Sequence, residues 1–205
     1  MSYKTEQEEF WAGSFGEDYI ERNKSDELLA SNLNFFSKVL KTATKPSSII
    51  EFGANIGMNL KALQLLFPGI KSTGIEINTM ASNQLAKVIG KDNVFNISIF
   101  DYEPKQKFEI SLIKGVLIHI NPDMLSFVYK KLYDSASKYI LLCEYYNPSP
   151  VTIGYRGHHD RLFKRDFAGE IMQTYPDLVL SDYGFVYKRD PLFPQDDITW
   201  FLLKK

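Results

Sequence analysis

Short apolar runs alternate along the chain with longer stretches in which apolar residues recur every three or four positions. The short runs predict buried strands and the longer stretches predict amphipathic helices. Because the two kinds of segment alternate, the sequence predicts an α/β fold with a mostly parallel sheet. The predicted strands pass through Ile49 and Ile50 and then cover residues 71–77, 94–98, 108–113, 139–144, 178–187 and 198–203. The predicted helices cover residues 26–41, the stretches from Met58 to Pro68 and from Asn78 to Gly90, and the segments after Pro122 and Asp166.

The first predicted strand runs directly into a glycine-containing turn. The stretch Glu51-Phe52-Gly53-Ala54-Asn55-Ile56-Gly57 separates it from the first helix of the sheet. Gly53 permits a sharp turn and leaves the backbone bare toward a ligand, and the free N–H groups of the following helix face the same space. Strand, glycine turn and helix together predict a nucleotide-binding unit.

Two acids indicate which nucleotide this unit takes. Glu51 precedes the glycines, where it disfavours an anionic dinucleotide and favours a ligand with an ammonium and a sulfonium. The turn also lacks the dinucleotide-binding pattern G-x-G-x-x-G, since Asn55 stands where that pattern has its second glycine. Glu76 ends the next apolar run, 23 residues after Gly53, where a carboxylate reaches ribose hydroxyls. The alternative is an ordinary strand–turn–helix with two exposed acids.

These motifs resemble the class I S-adenosylmethionine-dependent methyltransferases. The resemblance implies a Rossmann-like sheet of order 3-2-1-4-5-7-6 with the last strand antiparallel, helices on both faces, and an N-terminal helical lid. The directly joined strands at 178–187 and 198–203 match that order. Asp101 is expected to bond the adenine amine and Phe100 to cover the ring, although Asp101 also suits a plain turn before Pro104. The full set of expected S-adenosylmethionine contacts is Glu51, Gly53, Asn55, Gly57, Glu76, Ile77, Phe100, Asp101, Lys114 and Tyr19.

Composition narrows the class of protein. The 205 residues suit a single domain over 1–205, with 1–45 as the helical lid segment and 46–205 as the core. A net charge of −1 argues against nucleic-acid binding, and no apolar run is long enough to span a membrane. Cys143 is the only cysteine, and no signal peptide is visible, so we expect a cytoplasmic protein without a disulfide. Phe10, Trp11, Phe15 and Tyr19 make the leading segment aromatic, which favours packing onto the core, a lid, or both.

The acceptor site is predicted after the fourth and fifth strands, where ligands bind in such sheets. His119 follows the fourth strand and suits either a general base or a structural histidine. Residues 145–165 show no clear period and are predicted to form a long functional loop. This loop carries His158 and His159, the first choices for a base, and the cation Arg156. Its charges favour an anionic acceptor, although they also suit a solvated loop. A metal site at His158, His159 and Asp160 is not expected, because adjacent residues rarely converge on one ion.

The whole chain is similar to a narrower family, the pseudaminic acid biosynthesis-associated methylases. Four stretches carry this likeness: residues 10–16 with Arg22 and Asn23, residues 51–59, residues 115–122, and residues 154–170 with the tail 189–200. The resemblance implies that a nonulosonic acid or a related sugar precursor is methylated on oxygen or nitrogen. The expected acceptor contacts are Arg156, Tyr155, Arg161, Tyr146 and Arg22. The alternatives are another small carboxylate, metabolite or peptide acceptor, a nucleotide-sugar oxidoreductase, and a non-catalytic cofactor-binding module that regulates a partner.

Overall fold

The computed structural model describes residues 3–22, 25–155 and 158–205, without the side chains of residues 21, 22 and 158–160. The helices are α1 Glu6–Ala12, α2 Ser14–Arg22, α3 Asp26–Val39, α4 Met58–Leu66, α5 Thr79–Ile89, α6 Leu125–Ser135 and α7 Phe167–Thr174. The strands are β1 Ser48–Phe52, β2 Lys71–Ile75, β3 Val94–Phe95, β4 Phe108–Lys114, β5 Ala136–Glu144, β6 Val151–Tyr155, β7 His158–Lys164, β8 Val179–Val186 and β9 Ile198–Lys204.

Seven of the described strands form one sheet in the order β3-β2-β1-β4-β5-β9-β8. The first five are parallel, and β9 is antiparallel to both of its neighbours. Because β6 and β7 pair separately, the sheet has the predicted order 3-2-1-4-5-7-6 with its last strand antiparallel. The class I methyltransferase fold expected from the sequence is therefore confirmed.

The sheet separates two apolar cores. Phe52, Ile113 and Leu142 face a layer that includes α6 and α7, while Ile49, Leu112 and Leu141 face α3 and α4. Three helices begin at side-chain caps, since Ser25, Asn78 and Asp166 each accept a backbone N–H at the start of a helix. These caps fix where α3, α5 and α7 begin.

The prediction of an irregular loop over residues 145–165 was wrong. Residues Val151–Tyr155 and His158–Lys164 form an antiparallel hairpin, with Val151 opposite Lys164 and Ile153 opposite Leu162. The register shifts between Ile153 and Tyr155, at Gly154, so the period-2 pattern is broken within the first strand. This irregularity hid a hairpin that β-branched residues otherwise favour.

Several predicted element ends also needed correction. β2 ends at Ile75 and β3 at Phe95, not at residues 77 and 98. Beyond them the Asn96 side chain donates to the carbonyls of Glu76 (2.9 Å) and Ile77 (3.1 Å), replacing ladder hydrogen bonds with side-chain ones. Helix α3 ends at Val39 instead of residue 41, and β5 begins earlier than predicted, at Ala136.

Candidate functional site

A cavity of about 470 Å³ opens at the carboxyl ends of β1, β2 and β4. Its floor includes Gly53, Glu76 and Lys114, and α1 and α2 close over it with Trp11, Gly16 and Tyr19. Carboxyl ends of parallel strands near a reversal of strand order are the usual ligand position in such sheets. The volume lies within the range of small-molecule and cofactor sites.

The turn after β1 is built for close approach to the backbone. Gly53 has φ 74°, and a Cβ there would lie 2.5 Å from Cγ2 of Val116, so a side chain at this position has no room. Asn55 has φ 48°, a left-handed conformation that asparagine tolerates. The N–H groups of Gly53 and Ala54 both donate to the Ile75 carbonyl, at 2.9 and 3.0 Å. These bonds tie the glycine turn to the end of β2.

Glu76 is held at the junction of the glycine turn and α5. Its Oε2 accepts the N–H of Asn55 and its Oε1 accepts the N–H of Asn78, each at 2.7 Å. The carboxyl is buried, and burial raises its pKa against the lowering effect of these bonds. A carboxylate has about four acceptor positions, so Glu76 can still accept a further donor. Glu76 lines the cavity, where a ligand can provide them.

Glu51 lies beneath the cavity floor and is only 1% exposed. Its Oε1 accepts a 2.6 Å hydrogen bond from Nδ2 of Asn59, while its Oε2 is buried without a partner. Burial raises the pKa of Glu51 to about 8, despite the opposing Asn59 bond and the nearby Lys114 charge. An orphaned buried carboxyl oxygen is costly unless a donor reaches it. The observation fits a site that receives a cationic ligand group.

Lys114 lies on the same side of the sheet as Glu51. Glu51 is paired in register with Leu112, and Lys114 follows Leu112 by two positions, so all three side chains share one face. The Lys114 ammonium lies 5.8 Å from the centre of the Phe35 ring and lines the cavity. Burial raises the pKa values of Glu51, Cys143 and Glu144, and the Lys114 charge opposes part of that rise in each case. A cation and an acid therefore lie side by side at the end of β1 and β4.

The wall beyond β3 is made by a short turn. Ile77, Ser98, Ile99 and Phe100 line the cavity, and Phe100 is buried. The Asp101 side chain instead lies outside it, half exposed, in a 2.6 Å ion pair with Lys4. The structure thus brings Ile77 and Phe100 to the predicted ring-binding wall and leaves Asp101 beside it. Gly57 also lies off the lining: its φ is 85°, and a Cβ there would lie 2.7 Å from Leu85.

The N-terminal helices are fastened over the cavity by polar contacts at both ends. Besides the Lys4–Asp101 pair, Arg161 and Glu6 form an ion pair at 3.0 Å. Nδ2 of Asn78 lies 3.3–3.4 Å from the carbonyls of Trp11, Ala12 and Gly13 at the end of α1. Trp11 and Tyr19 pack edge to face and both line the cavity. These contacts place apolar rings between the cavity and solvent.

His119 lines the cavity and packs against Trp11 and Tyr155, with ring centres 4.7 and 5.2 Å apart. Its Nδ1 lies 2.6 Å from the Arg161 carbonyl, so Nδ1 carries the proton and Nε2 keeps a lone pair. Burial lowers the pKa of His119 to about 4, so the ring is neutral near pH 7. A neutral ring can accept a proton, but so low a pKa makes it a weak base.

The other predicted acceptor residues are only partly brought together. Tyr155 packs near His119 and Phe15, and Arg161 is bound to Glu6 over the Phe10 ring. Tyr146 is 43% exposed and lies outside the cavity, next to Phe201. Arg156 and the side chains of Arg22, His158 and His159 lie outside the described part of the chain.

Sequence reasoning missed Glu144, which is buried at the end of β5. Its carboxylate accepts the N–H groups of Val116 and Leu117 at 3.0 Å and of Ile118 at 3.4 Å, which fixes the loop between β4 and His119. Burial raises its pKa to about 7. The available signal was its position, because Glu144 ends an apolar run as Glu51 and Glu76 do.

A second missed group holds the loop between β8 and β9. The Gln195 side chain donates to the Asn32 side chain of α3 at 2.9 Å, and both residues are buried and line the cavity. The two lie 163 positions apart, so their pairing had no local signal.

Among the side chains that the structure describes, no group of three or more His, Cys, Asp or Glu residues is arranged to hold a metal ion. Likewise, none of the described helices has the length and apolar character needed to cross a membrane.

The strand order, the glycine turn and the cavity define the class I methyltransferase architecture, and solved structures share it. Magnesium protoporphyrin IX methyltransferase from Synechocystis PCC 6803, solved with S-adenosylmethionine, matches over 100% of both chains at 11% identity and a TM-score of 0.71. The 1,6-didemethyltoxoflavin-N1-methyltransferase of Burkholderia thailandensis, solved with its acceptor and S-adenosylhomocysteine, matches over 100% of this chain and 91% of its own at 13% identity, with a TM-score of 0.73.

A third similar structure is an S-adenosylmethionine-dependent methyltransferase from Archaeoglobus fulgidus, with 13% identity over 94% of this chain and 100% of its own and a TM-score of 0.68. At such low identity these likenesses concern the fold. No protein-family model matches the chain, and no curated protein matches it.

Proposed function

We propose that this protein is an S-adenosylmethionine-dependent methyltransferase acting on a small molecule. The observation that carries the proposal is the pair of buried acids around the glycine turn, with one Glu51 oxygen left without a donor. A ligand with an ammonium at one end and ribose hydroxyls further along supplies donors to both acids. The similar structures solved with S-adenosylmethionine or S-adenosylhomocysteine support this choice of cofactor.

Each part of the site has a role in this proposal. Glu76 accepts ribose hydroxyls with its remaining lone pairs, and Ile77 and Phe100 cover the adenine. Glu51 receives the ammonium of the methionine part, and Lys114 receives its carboxylate. The bare backbone at Gly53 lets these groups come close without a Cβ in the way. The cofactor supplies a methyl group already activated on a sulfonium.

The protein then has to align the acceptor and exclude water. Trp11 and Tyr19 cover the cavity with apolar surface. Nε2 of His119 accepts a proton if the acceptor is a hydroxyl or an ammonium, although its lowered pKa limits the driving force. Glu144 keeps His119 in place through the backbone N–H groups of the preceding loop.

We propose an anionic acceptor of the nonulosonic-acid type as the finer assignment, with transfer to oxygen or nitrogen. It rests on the sequence resemblance and on the cations Arg156 and Arg161 in the segment of the β6–β7 hairpin. Because Arg161 is bound to Glu6, an acceptor carboxylate at this position must compete with that ion pair.

The test is product analysis with a methyl-labelled donor. The purified protein is incubated with labelled S-adenosylmethionine and a panel of sugar acids, other small carboxylates and peptides, and products are identified by mass spectrometry. A labelled sugar acid supports the full proposal, and a labelled product of another kind corrects the acceptor. Cofactor binding without any labelled product across the panel favours the non-catalytic binding module.

A further inference from the structure

One end of the cavity extends past the strands that carry the proposed cofactor site. Ile77 and Phe100 line the cavity on the β3 side, and Lys114 lines it at the end of β4. Ile198 also lines the cavity and begins β9, which lies two strands beyond β4 in the sheet. At about 4.8 Å between neighbouring strands, the start of β9 lies roughly 10 Å past the end of β4. We call this end of the cavity the distal arm, and its lining includes Leu28, Asn32, Lys188, Gln195, Asp196 and Ile198.

The charges of the distal arm do not favour an anion. The ammonium of Lys188 lies 3.3 Å from the Asp197 carboxylate, and the Lys188 backbone N–H donates to the same carboxylate at 3.0 Å. Asp196 adds a second negative charge at an exposed position, where the arm meets solvent. Because one cation stands among two acids, a ligand carboxylate gains little attraction here. An uncharged ligand group therefore suits the arm better than a carboxylate does.

A buried pair of amide side chains is the main polar feature of the distal arm. The side-chain N–H of Gln195 donates to the side-chain oxygen of Asn32 at 2.9 Å, and the two residues are 7% and 1% exposed. An amide has two N–H donors and two acceptor positions, so the shared bond leaves donors on one partner and an acceptor on the other. Reversing both amide groups leaves the same balance. Among the described residues, neither amide has a second hydrogen-bond partner.

The donor and the acceptor that remain on this pair are complementary to a carboxamide. The carboxamide oxygen accepts an N–H of the pair while its own N–H donates to the neighbouring oxygen, so all of these groups are satisfied together. A carboxylate only accepts and an ammonium only donates, so either ion leaves a buried polar group unpaired, which is unfavourable. Leu28 and Ile198 add apolar surface for the alkyl part of the ligand group, which a plain hydroxyl would leave uncovered.

We propose that the distal arm binds a carboxamide or N-acyl group of the methyl acceptor, with Asn32 and Gln195 as the residues that determine this specificity. The inference rests on the proposed function, because it concerns the acceptor of that same reaction. The amino-acid end of the cofactor is assigned to Glu51 and Lys114, so the arm beyond them is left for the acceptor. The carboxylate of an anionic acceptor then lies outside the arm.

Nuclear magnetic resonance of the full chain, saturated with S-adenosylhomocysteine, tests this with three probes of one shape: isobutyramide, isobutyrate and isobutylammonium. We expect isobutyramide to shift the side-chain amide signals of Asn32 and Gln195 and to bind at least about 10-fold more tightly than either ion. The side-chain amide of Asn93, which is exposed and outside the cavity lining, is the control and keeps its signal unchanged. Equal or tighter binding of isobutyrate, or no shift of the two signals at the highest probe concentration, overturns the proposal.

A double variant separates acceptor binding from cofactor binding. Asn32→Leu combined with Gln195→Met removes both partners of the bond, so that no buried amide is left unpaired. We expect a folded protein by circular dichroism, an unchanged affinity for S-adenosylhomocysteine in calorimetry, and no preference for isobutyramide over the two ions. Loss of S-adenosylhomocysteine binding in this variant alone shows that the pair serves the cofactor and overturns the proposal. If the wild type itself does not bind S-adenosylhomocysteine, the proposed function fails, and this is seen before any probe is added.

Discussion

Replacing Glu51 with glutamine should stabilise the protein in a pH-dependent way. The pKa of this carboxyl is raised from 4.5 to about 8 because the group is buried. The unfolded chain releases the proton near pH 4.5 and the folded chain holds it to about pH 8. The contribution of Glu51 to the free energy of unfolding is therefore fully present below pH 4.5, and it is lost as the pH rises to the folded pKa of about 8.

The size of the effect follows from the interval between the two pKa values. At pH 7 the wild-type protein has lost about 3 kcal/mol of this contribution, and by pH 8 about 5 kcal/mol, as an upper limit. Glu51→Gln keeps an oxygen for the Asn59 bond and has no charge to bury. Its unfolding free energy should therefore exceed that of the wild type by an amount that grows between pH 4.5 and 8.

Urea unfolding of both proteins at pH 4.5, 7 and 8.5 measures this difference. Calorimetry with S-adenosylhomocysteine completes the test, since the variant should be more stable yet bind at least about 10-fold more weakly. Asp101→Asn is a matched control, because that acid is exposed and paired with Lys4. A stability difference that does not change with pH would refute the burial argument.

Three further predictions concern the cavity. Glu76→Ala should weaken S-adenosylhomocysteine binding by about 1.5–3 kcal/mol through the loss of a charge-assisted bond, and an unchanged affinity in calorimetry would show that Glu76 has another role. Gly53→Ala should lower both stability and affinity, by about 1–3 kcal/mol each, because φ is 74° and Val116 lies in the way; a variant with wild-type melting and binding contradicts this. The free energy of unfolding of the wild type should fall by about 3 kcal/mol as the pH drops from 6.5 to 4, because the pKa of His119 is lowered to about 4 in the folded protein. His119→Gln should not show this fall, and parallel pH profiles of the two proteins would refute the prediction.

The sequence was sufficient to predict the seven-stranded sheet and the glycine turn after its first strand. The apolar runs that end in Glu51 and Glu76, and the glycines between them, lie close together in the chain. They can therefore be recognised from the sequence alone. The cap residues Ser25, Asn78 and Asp166 act on backbone N–H groups within three positions, and they are equally visible. Local chemistry therefore predicted the strands of the seven-stranded sheet and the glycine turn at the floor of the cavity.

The parts that sequence missed depend on contacts between distant positions. Asp101 has the expected place after β3, yet Lys4 draws its side chain outward from 97 positions away. Glu144 fixes a loop 26–28 residues earlier in the chain, and Arg161 reaches Glu6 across 155 positions. The β6–β7 hairpin was missed for a different reason, because the register shift after Ile153 breaks its alternation.

The most direct test of the account is calorimetric titration of the protein with S-adenosylhomocysteine, 5′-methylthioadenosine and NAD in parallel. We predict binding of S-adenosylhomocysteine, weaker binding of 5′-methylthioadenosine because it lacks the amino-acid charges that Glu51 and Lys114 receive, and no measurable binding of NAD. Tight NAD binding together with no response to S-adenosylhomocysteine would contradict the proposed site.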